Sequence, residues 1–523
     1  MVETLRHLGE SLYASSFLFT LCHVFSFMLP TVSPFSNEWI TSVVFLLGIF
    51  GLIGLSELVR VKLNWTPELS RKFVHVLVGL FVLMSPFLFV SNGPPVVLAI
   101  IFIVVNLMAI KSKKFEGMHA TKRKSYGTVY FPLAYLILCL FWWERQITFQ
   151  IALLLLTFAD TAAAIVGEGV QKPESYRPWR DQKTIQGTIV MALTSALLTG
   201  LGTTLFRSLA GMEPLELQLL VPLSLFVAAM ATIAEAVSDS GSDNLSIPIV
   251  AAVTYDLFFE SVGNGSAAVL IMWIFLSFIM AQGAFSLRVL TSDGALAAFV
   301  LGVFVFGIGG WKFMIPLAVF FVLSSLLSRI GKKSKKDQRQ SFGKGSERDM
   351  VQVYANGGIP LILTIWWLYN PSDIIYFAYL SSVVAATADT WATEIGFFSP
   401  YVPRDIVTFR KVASGASGGV TFLGSVGGLL GATVIAASAW FFIQDVKVLS
   451  LAVAVGFAAN VFDSILGATV QASYTCGGCS KKVEVAHHCN EPATLISGSR
   501  FINNDTVNLF CTLSGGAIIL LMG

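Results

Sequence analysis

Long runs of apolar residues, separated by short polar gaps, are the dominant pattern along the chain. Each run approaches the roughly 20 residues that a helix needs to cross a bilayer at about 1.5 Å per residue. We therefore predict an all-α, polytopic helical membrane protein with about 15–17 transmembrane helices in two halves. The predicted spans are residues 12–30, 39–59, 72–90, 94–110, 127–143, 147–168, 185–206, 217–238, 246–260, 264–282, 292–310, 312–330, 350–369, 374–397, 418–443, 447–472 and 505–522. The gaps leave no room for a soluble domain, so we expect any chemistry in the membrane or at its surface.

The composition supports this class and excludes others. Of the 523 residues, 55% are hydrophobic and 12% are charged, about half the charged fraction of an average soluble domain. This excludes a soluble enzyme and a disordered chain, and a net charge of +3 provides no bulk attraction to nucleic acid. Six cysteines do not make a disulfide scaffold in a chain of this length. Residues 1–10 lead into an apolar run without a small-residue cleavage site, so we expect a retained first span.

Lysine and arginine are distributed unevenly between the predicted loops. Most of the 34 lie in loops that follow even-numbered spans, whereas loops after odd-numbered spans hold Arg145, Arg207, Lys312 and Lys447. Cytoplasmic loops are enriched in these residues. We therefore expect a multi-pass protein of a bacterial cytoplasmic membrane, with the N-terminus and the candidate sites on the cytoplasmic side.

Ionisable residues at the ends of spans indicate candidate sites, because a charge is costly to place in a membrane. Asp160 follows a run of apolar and hydroxyl residues, and Lys183, Thr184 and Gly187 open the next span. A carboxylate is a ligand for Mg²⁺, whereas a lysine and the N–H groups of a helix N-terminus neutralise phosphate. The pattern favours a phosphate and metal site, and the alternative is a polar contact between packed helices.

A basic segment and an acidic segment flank this candidate site. Arg71 and His75 lie four residues apart and would share one helix face, with Lys72 beside them. A basic anchor at the membrane surface is the alternative interpretation. Glu235, Asp239 and Asp243 recur every four residues before Asn244; on one helix they would form an acidic stripe that a divalent metal stabilises. A solvated loop is the alternative for this stripe.

The second half repeats part of this pattern. Asp160, Gly167, Lys183 and Gly187 align with Asp389, Gly396, Lys411 and Gly415 at nearly equal spacing. We interpret this as an internal duplication, although short motifs also match by chance. Further polar residues near the ends of spans in this half are Lys344, Arg348, Gln352, Asn356, Glu394, Asp505 and Asn508, and two more, Asn460 and Asp463, lie three residues apart deep in the span 447–472.

A cysteine and histidine cluster lies in one predicted cytoplasmic loop. Cys476 and Cys479 form a C-x₂-C motif, and His488 and Cys489 follow. Three thiolates and one imidazole are a typical ligand set for a structural zinc ion. Reduced free thiols at a Gly-Gly turn are the alternative.

The residues resemble two families of membrane kinases. From about residue 50 to 280 the chain resembles the phytol, farnesol and dolichol kinase family. The matching residues are Glu57, Arg60, Ser70, Arg71, Lys72, His75, Asp160, Thr161, Gly167, Lys183, Thr184, Gly187, Glu235, Asp243 and Asn244. Ala159 stands where a glycine is common. From about 283 to 523 the chain resembles the family that contains phytyl-phosphate kinase. The matching residues are Asp293, Gly294, Ala295, Lys344, Arg348, Gln352, Asn356, Gly357, Lys411, Ser417, Gly418, Asp463, Gly467, Asn504, Asp505, Asn508 and the segment 389–396.

The resemblance implies a fusion of two domains, residues 1–282 and 283–523, that act in sequence. The first would phosphorylate phytol or a related isoprenoid alcohol, and the second would convert the monophosphate to the diphosphate, which feeds tocopherol biosynthesis, phylloquinone biosynthesis or chlorophyll salvage. CTP is the implied phosphoryl donor with Mg²⁺ as cofactor, and the implied partners are the lipid bilayer, the isoprenoid alcohol, its monophosphate and the nucleoside triphosphate.

The candidate roles follow from this resemblance and from the charges. Phosphoryl transfer depends mainly on positioning and on neutralising charge. The candidate catalytic residues are Asp160, Lys183, His75, Asp389 and Lys411. The candidate substrate or nucleotide ligands are Arg71, Lys72, Thr184, Gly187, Asn244, Lys344, Arg348, Gln352, Asn356 and Gly418. The candidate Mg²⁺ ligands are Asp160, Glu235, Asp239, Asp243, Asp389, Glu394, Asp463 and Asp505.

Two other functions remain open from the sequence. A CTP-dependent cytidylyltransferase acting on a lipid phosphate would use similar residues but would release pyrophosphate. A transporter would also have many spans and an internal repeat, although its polar residues would lie near the membrane midplane. Neither a P-loop motif nor the protein-kinase signature set occurs in the chain, which excludes machinery of those types.

Overall fold

The computed structural model describes residues 29–112, 125–330, 347–489 and 491–522. Within these residues, twelve helices are long and apolar enough to cross a membrane, and two shorter apolar helices, Gly127–Phe141 and Phe422–Ser438, accompany them. This confirms the prediction of a polytopic all-α membrane protein. The predicted first span lies almost entirely outside the described residues, and so does Lys344.

The chain divides into two compact units, Met1–Ala267 and Ala268–Gly523. The helices of the first unit are α1 (Glu38–Leu63), α2 (Pro67–Leu83), α3 (Ser85–Leu88), α4 (Gly93–Ser112), α5 (Gly127–Phe141), α6 (Gln146–Leu154), α7 (Asp160–Gly169), α8 (Ile185–Leu209), α9 (Leu217–Ala236) and α10 (Asp243–Gly263). A π-helical turn, Leu155–Ala159, joins α6 to α7, and the short strands β1 (Ser175–Tyr176) and β2 (Lys183–Thr184) pair antiparallel before α8.

The core of the first unit lies between α6, α8, α9 and α10. Ile151, Met191, Leu223 and Ile247, one from each helix, are fully buried there. The opposite face of α8 is apolar as well, with an exposed leucine at every fourth position from Leu193 to Leu205. An apolar outer surface of this kind suits contact with lipid rather than water.

The helices of the second unit are α11 (Ala267–Ser286), α12 (Ser292–Arg329), α13 (Met350–Tyr369), α14 (Asp373–Gly396), α15 (Phe422–Ser438), α16 (Val446–Thr469) and α17 (Asn504–Met522). Gly310 has φ of +57° inside α12 and divides it into two helical segments. This agrees with the two predicted spans, 292–310 and 312–330. Only glycine adopts such a backbone at little cost.

The second unit is built around α14. Tyr376, Tyr379, Leu380 and Val384 are fully buried on this helix, and the Tyr379 hydroxyl donates to the Phe313 carbonyl at 2.6 Å. Because α14 contacts α13, α15, α16 and α17, a polar residue near its end is enclosed by several helices.

Two small β structures accompany the helices of the second unit. Strands β3 (Arg404–Asp405) and β4 (Gly419–Val420) pair antiparallel between α14 and α15. Between α16 and α17 lies a four-stranded antiparallel sheet of β5 (Ser473–Cys476), β6 (Lys482–Val483), β7 (His487–His488) and β8 (Glu491–Ser497), in the order β6-β5-β8-β7. We call this the hairpin sheet.

Candidate active sites

Asp160 is positioned by the irregular turn that precedes it. The Asp160 N–H donates to the Leu155 carbonyl, five residues back, which closes the π-helical turn. Such turns inside α-helices are frequent at functional sites, because the extra residue displaces the side chains from a regular helix. The carboxylate then lies in the electrostatic field of Glu235, Asp243 and Lys183.

Lys183 lies between the two acidic helix ends of the first unit. Its Nζ donates to Glu235 Oε1 at 2.6 Å and to Ser238 Oγ at 3.1 Å, and it lies 4.0 Å from Asp243 Oδ2. Burial alone would lower the pKa of Lys183, but the carboxylates of Glu235 and Asp243 outweigh it and raise this pKa. These carboxylates therefore favour the charged form of Lys183, and Asp160 lies in the field of the same lysine.

The predicted acidic stripe does not form. Helix α9 ends at Ala236, and Ser240 and Gly241 have positive φ before α10 begins at Asp243. Glu235 and Asp243 both face Lys183 across this turn, whereas Asp239 lies 3.7 Å from Arg180. Burial raises the pKa of Asp239, with Arg180 opposing the shift. The four-residue spacing predicted one helix, and the turn conformation at Ser240 and Gly241 prevents it.

The basic segment lies on α2, as predicted. Arg71 acts electrostatically on both Asp160 and His75, so it belongs to the same site. Lys72 instead donates to the Ala164 carbonyl at 3.2 Å and forms an ion pair with Glu168 on α7. His75 Nε2 lies 2.9 Å from the Leu156 carbonyl, so this nitrogen is a donor and holds the π-helical turn.

Two glycines let α7 and α8 approach each other at the site. Thr184 caps α8 by accepting from the Gly187 N–H at 3.2 Å. A Cβ atom at Gly167 would lie 2.7 Å from Thr184 Oγ1, and one at Gly187 would lie 3.1 Å from the Ala163 carbonyl oxygen. The glycines therefore bring the N-terminus of α8 close to α7.

The second unit repeats this arrangement at positions other than those aligned from the sequence. Thr421 caps α15 by accepting from Gly424 N–H at 3.0 Å, and a Cβ atom at Gly396 would lie 3.4 Å from Thr421 Oγ1. The structural counterparts of Thr184 and Gly187 are therefore Thr421 and Gly424. Lys411 and Gly415, which the sequence alignment paired with Lys183 and Gly187, lie earlier in the loop before α15, where Lys411 is exposed.

The acids of the second unit follow the same order of elements as those of the first. Asp389 lies on α14, Asp463 on α16 and Asp505 at the start of α17. Asp389 and Asp463 both act electrostatically on Cys511, which brings these two carboxylates to one region. Glu394, one turn beyond Asp389, accepts from Ser328 Oγ at 2.7 Å.

A mostly apolar cavity lies beside α12 and α13. Its walls are mostly apolar side chains of α11 and α12, and Arg348, Gln352 and Asn356 line the same cavity. The spacing predicted that these three residues share one helix face, and all three line this cavity. The cavity therefore combines an apolar chamber with a cation and two amides.

The oxygen groups of the first unit suit a magnesium ion. Glu235 Oε2 and Asn244 Oδ1 are buried and lack a hydrogen-bond partner among the described residues. Leaving such atoms unpaired is costly, and Mg²⁺ takes oxygen ligands while retaining several waters. The carboxylate of Asp243, 4.0 Å from Lys183 Nζ, adds two more oxygen atoms to this group of candidate ligands.

The described residues contain one cluster of at least three closely spaced His, Cys or acidic groups. It consists of Cys476, Cys479, His488 and Cys489, the four predicted zinc ligands, with ligand atoms within 4.8 Å of one another. The structure thus assembles the predicted ligand set.

Two polar contacts were not anticipated from the sequence. Asp256 is buried and accepts from Trp142 Nε1 at 2.9 Å and Thr148 Oγ1 at 2.7 Å, with Arg145 at 3.3 Å. Its position inside the predicted span 246–260 was the one feature of the sequence that could have indicated this buried contact. Glu484 accepts from the Ser417 N–H and hydroxyl, each at 2.8 Å, and no pattern predicted this long-range contact.

Comparison with known proteins places the chain among integral membrane proteins. Residues 275–516 match the family described as integral membrane protein DUF92. An uncharacterized membrane protein of Methanocaldococcus jannaschii is 31% identical over 235 residues, which cover 45% of this chain and 86% of that protein. Chloroplastic protein VTE6 of Arabidopsis thaliana is 25% identical over 240 residues, covering 45% of this chain and 65% of that protein. Chloroplastic phytol kinase 1 of Arabidopsis thaliana is 27% identical over 208 residues, with 37% and 67% covered.

No solved structure matches the chain. Each of these three matches covers less than half of the chain. The archaeal relative is nevertheless matched over most of its own length, and the family match spans nearly all of the second unit. This chain therefore belongs to the integral membrane protein DUF92 family.

Proposed function

We propose that the protein is a membrane-bound isoprenoid kinase that phosphorylates phytol, or a related isoprenoid alcohol, and then its monophosphate. In this proposal CTP is the phosphoryl donor and Mg²⁺ the cofactor, and residues 1–282 and 283–523 carry the first and second steps. The similarity to a phytol kinase and the resemblance described above support a kinase of this class.

The observation that carries the proposal is the position of Lys183. It is held by Glu235 and Asp243 beside Asp160, one residue before the capped N-terminus of α8. A buried cation, a helix N-terminus and oxygen ligands are what a transferring phosphoryl group requires. The alternative is a polar contact that only joins packed helices. Such a contact would not leave Glu235 Oε2 and Asn244 Oδ1 buried without a hydrogen-bond partner among the described residues.

The residues of the first unit have separable roles in this mechanism. Lys183 and Arg71 neutralise the charge on the transferring phosphoryl group, and the positive end of the α8 dipole adds to this neutralisation. The alcohol oxygen attacks the γ-phosphorus of CTP, its proton passes to Asp160, and CDP leaves. Glu235, Asp243 and Asn244 would hold Mg²⁺, which supplies charge neutralisation between the phosphates.

The cavity of the second unit supports the second step. A prenyl monophosphate has an apolar chain and a dianionic head group. The apolar walls on α11 and α12 suit the chain, and Arg348 with Gln352 and Asn356 suits the phosphate. Asp389, Glu394, Asp463 and Asp505 are the proposed Mg²⁺ ligands of this unit, with Lys344, Lys411 and Gly418 on the phosphates.

The direct test uses the purified full-length chain in lipid nanodiscs with phytol and CTP labelled in the γ-phosphate. We expect labelled phytyl monophosphate and then diphosphate, with release of CDP. Asp160→Asn should abolish the first product, and Asp389→Asn should let monophosphate accumulate. Release of pyrophosphate with a cytidylylated lipid would instead identify a cytidylyltransferase. Phytol flux across vesicles without nucleotide hydrolysis would favour a transporter.

A further inference from the structure

Three cysteines and one histidine lie close together at one end of the hairpin sheet. Cys479 Sγ and Cys489 Sγ lie 3.4 Å and 3.2 Å from His488 Nδ1, and Cys476 Sγ belongs to the same cluster. Tetrahedral zinc with Zn–S near 2.3 Å and Zn–N near 2.1 Å separates sulfur from nitrogen by about 3.6 Å. The observed separations need only a small expansion around an ion. None of the three cysteines forms a disulfide.

The backbone brings the four ligands together from two turns. Cys476 ends β5 and Cys479 follows through Gly477 and Gly478, whereas His488 ends β7 and Cys489 follows directly. Ser480 and Cys489 both have positive φ, at 55° and 54°. Such conformations are uncommon outside glycine and persist where the surroundings impose them.

The hairpin sheet has a small apolar core. Its buried cluster contains Ala472, Tyr474 and Val483, and β6 and β7 have two residues each. A small core contributes little stability, and small folds often add a staple such as a metal ion. A structural zinc ion would provide that staple, because binding to preformed ligands becomes folding free energy.

The hairpin sheet also reaches the loop of the second candidate site. Glu484, which follows β6, accepts from Ser417 N–H and Oγ, and Gln471 Nε2 donates to Glu484 Oε2 at 2.9 Å. Gly418 has φ of +78°, and a Cβ atom there would lie 2.7 Å from the Ala468 N atom of α16. Glu484 thus holds the Ser417–Gly418 turn where it packs tightly on α16.

The place of the hairpin sheet in the chain strengthens this connection. In the first unit, a short turn joins the helix that ends near Glu235 to the helix that begins at Asp243. At the corresponding point of the second unit, between the helices carrying Asp463 and Asp505, the hairpin sheet replaces that turn. The hairpin sheet is therefore an additional element of the second unit, and it contacts the loop before α15 through Glu484.

We propose that Cys476, Cys479, His488 and Cys489 bind one structural zinc ion, and that this ion positions the Ser417–Gly418 turn through Glu484. The three thiols lose their protons to solvent on binding, and the imidazole binds in its neutral form through Nδ1. Every coordination position is filled by the protein, so the ion would not activate water.

The first test measures metal content in the tag-free, full-length protein by inductively coupled plasma mass spectrometry. We expect about one zinc per chain, and retention after dialysis without chelator. Cys479→Ser and Cys489→Ser should reduce zinc at least tenfold. The matched control is His487→Gln, adjacent to His488 but outside the cluster, which should keep its zinc. The site would be refuted if the wild-type protein contained no zinc and also failed to develop the intense absorption of thiolate-bound cobalt after Co²⁺ is added.

A second measurement separates metal binding from its effect on the turn. Hydrogen–deuterium exchange of the wild-type protein is followed before and after a strong chelator removes the zinc, so no variant needs to fold. We expect faster exchange in residues 471–503 and also in 414–420. Faster exchange in the hairpin sheet alone would refute the positioning role. These measurements do not depend on kinase activity, so their outcome is independent of whether the proposed function is correct.

Discussion

Lys183 Nζ and Glu235 Oε1 form a 2.6 Å hydrogen bond between residues 52 positions apart in the chain. Both side chains are largely buried, with 14% and 12% of their surface exposed. This ion pair joins the start of α8 to the end of α9 and places the lysine beside Asp160. A buried pair tolerates the loss of one partner poorly, since the other charge is left uncompensated.

We predict that Lys183→Met lowers the free energy of unfolding by about 2 kcal/mol and reduces alcohol phosphorylation by about 100-fold or more. Lys183→Met combined with Glu235→Gln should recover much of the stability, because both charges are gone, but none of the activity. Lys172→Met is the control, since Lys172 is exposed in the same loop. Thermal unfolding and product formation are measured on the same preparations. Recovery of activity in the double variant would contradict a role in phosphate binding.

The raised pKa of Lys183 predicts a pH dependence of stability. A lysine whose pKa is higher in the folded state stabilises the fold fully below its ordinary pKa of about 10.4, and this stabilisation is lost as pH rises through the folded pKa. The difference in melting temperature between the wild-type protein and Lys183→Met should therefore be constant from about pH 8 to 10 and shrink above that range. A difference that grew with pH would contradict the assignment of the ion pair.

The spans could be predicted from the sequence because the bilayer fixes the length of an apolar helix. The division of α12 near Gly310 followed from length alone, since Ser292–Arg329 is too long for one span. The turn after α9 could not be predicted in the same way. Its path depends on the conformations of Ser240 and Gly241, and the charge spacing around it was equally compatible with a continuous helix.

The candidate site of the first unit was predicted better than that of the second. Lys183, Glu235 and Asp243 come together because each lies at or beside a helix end next to a short connection, whereas Asp160 lies inside a span, just after the π-helical turn. The loop 397–421 of the second unit is longer than 170–184, so counting from Asp389 reached Lys411 before the helix began. The contact between Ser417 and Glu484 depends on a sheet formed later in the chain, which local spacing cannot predict.

Gly167 should be intolerant of a side chain, whereas Gly169 on the same helix should accept one. A Cβ atom at Gly167 would overlap Thr184 Oγ1, but one at Gly169 meets no atom within 4 Å. We expect Gly167→Ala to separate α7 from α8, with a cost of about 1–3 kcal/mol and a loss of alcohol kinase activity. Gly169→Ala should leave both melting temperature and activity unchanged. Equal behaviour of the two variants would contradict the close approach of these helices.

Asp256 and Asp160 are both acids inside spans, and we predict opposite effects when each becomes an amide. Asp256 is 2% exposed and is surrounded by donors from Trp142, Thr148 and Arg145, so Asp256→Asn should destabilise the fold by about 3 kcal/mol. Asp160 is repelled by Asp243 and Glu235 and attracted by Lys183 and Arg71, so Asp160→Asn should change the melting temperature little while abolishing the first phosphorylation. Activity per folded molecule should survive in Asp256→Asn. Thermal unfolding with activity normalised to folded protein distinguishes the two.

The cavity on α12 should determine the length of prenyl chain that the second step accepts. Ala298 lines this cavity, and a phenyl ring in its place would fill part of the apolar chamber. We expect Ala298→Phe to raise KM for phytyl monophosphate about tenfold while changing KM for the shorter geranyl monophosphate little. Val322→Phe is the control, because Val322 lies on the same helix but is exposed and outside the cavity lining. If both substrates lost affinity equally in Ala298→Phe, the ring would be disturbing the helix packing, and the cavity would not be the binding chamber for the chain.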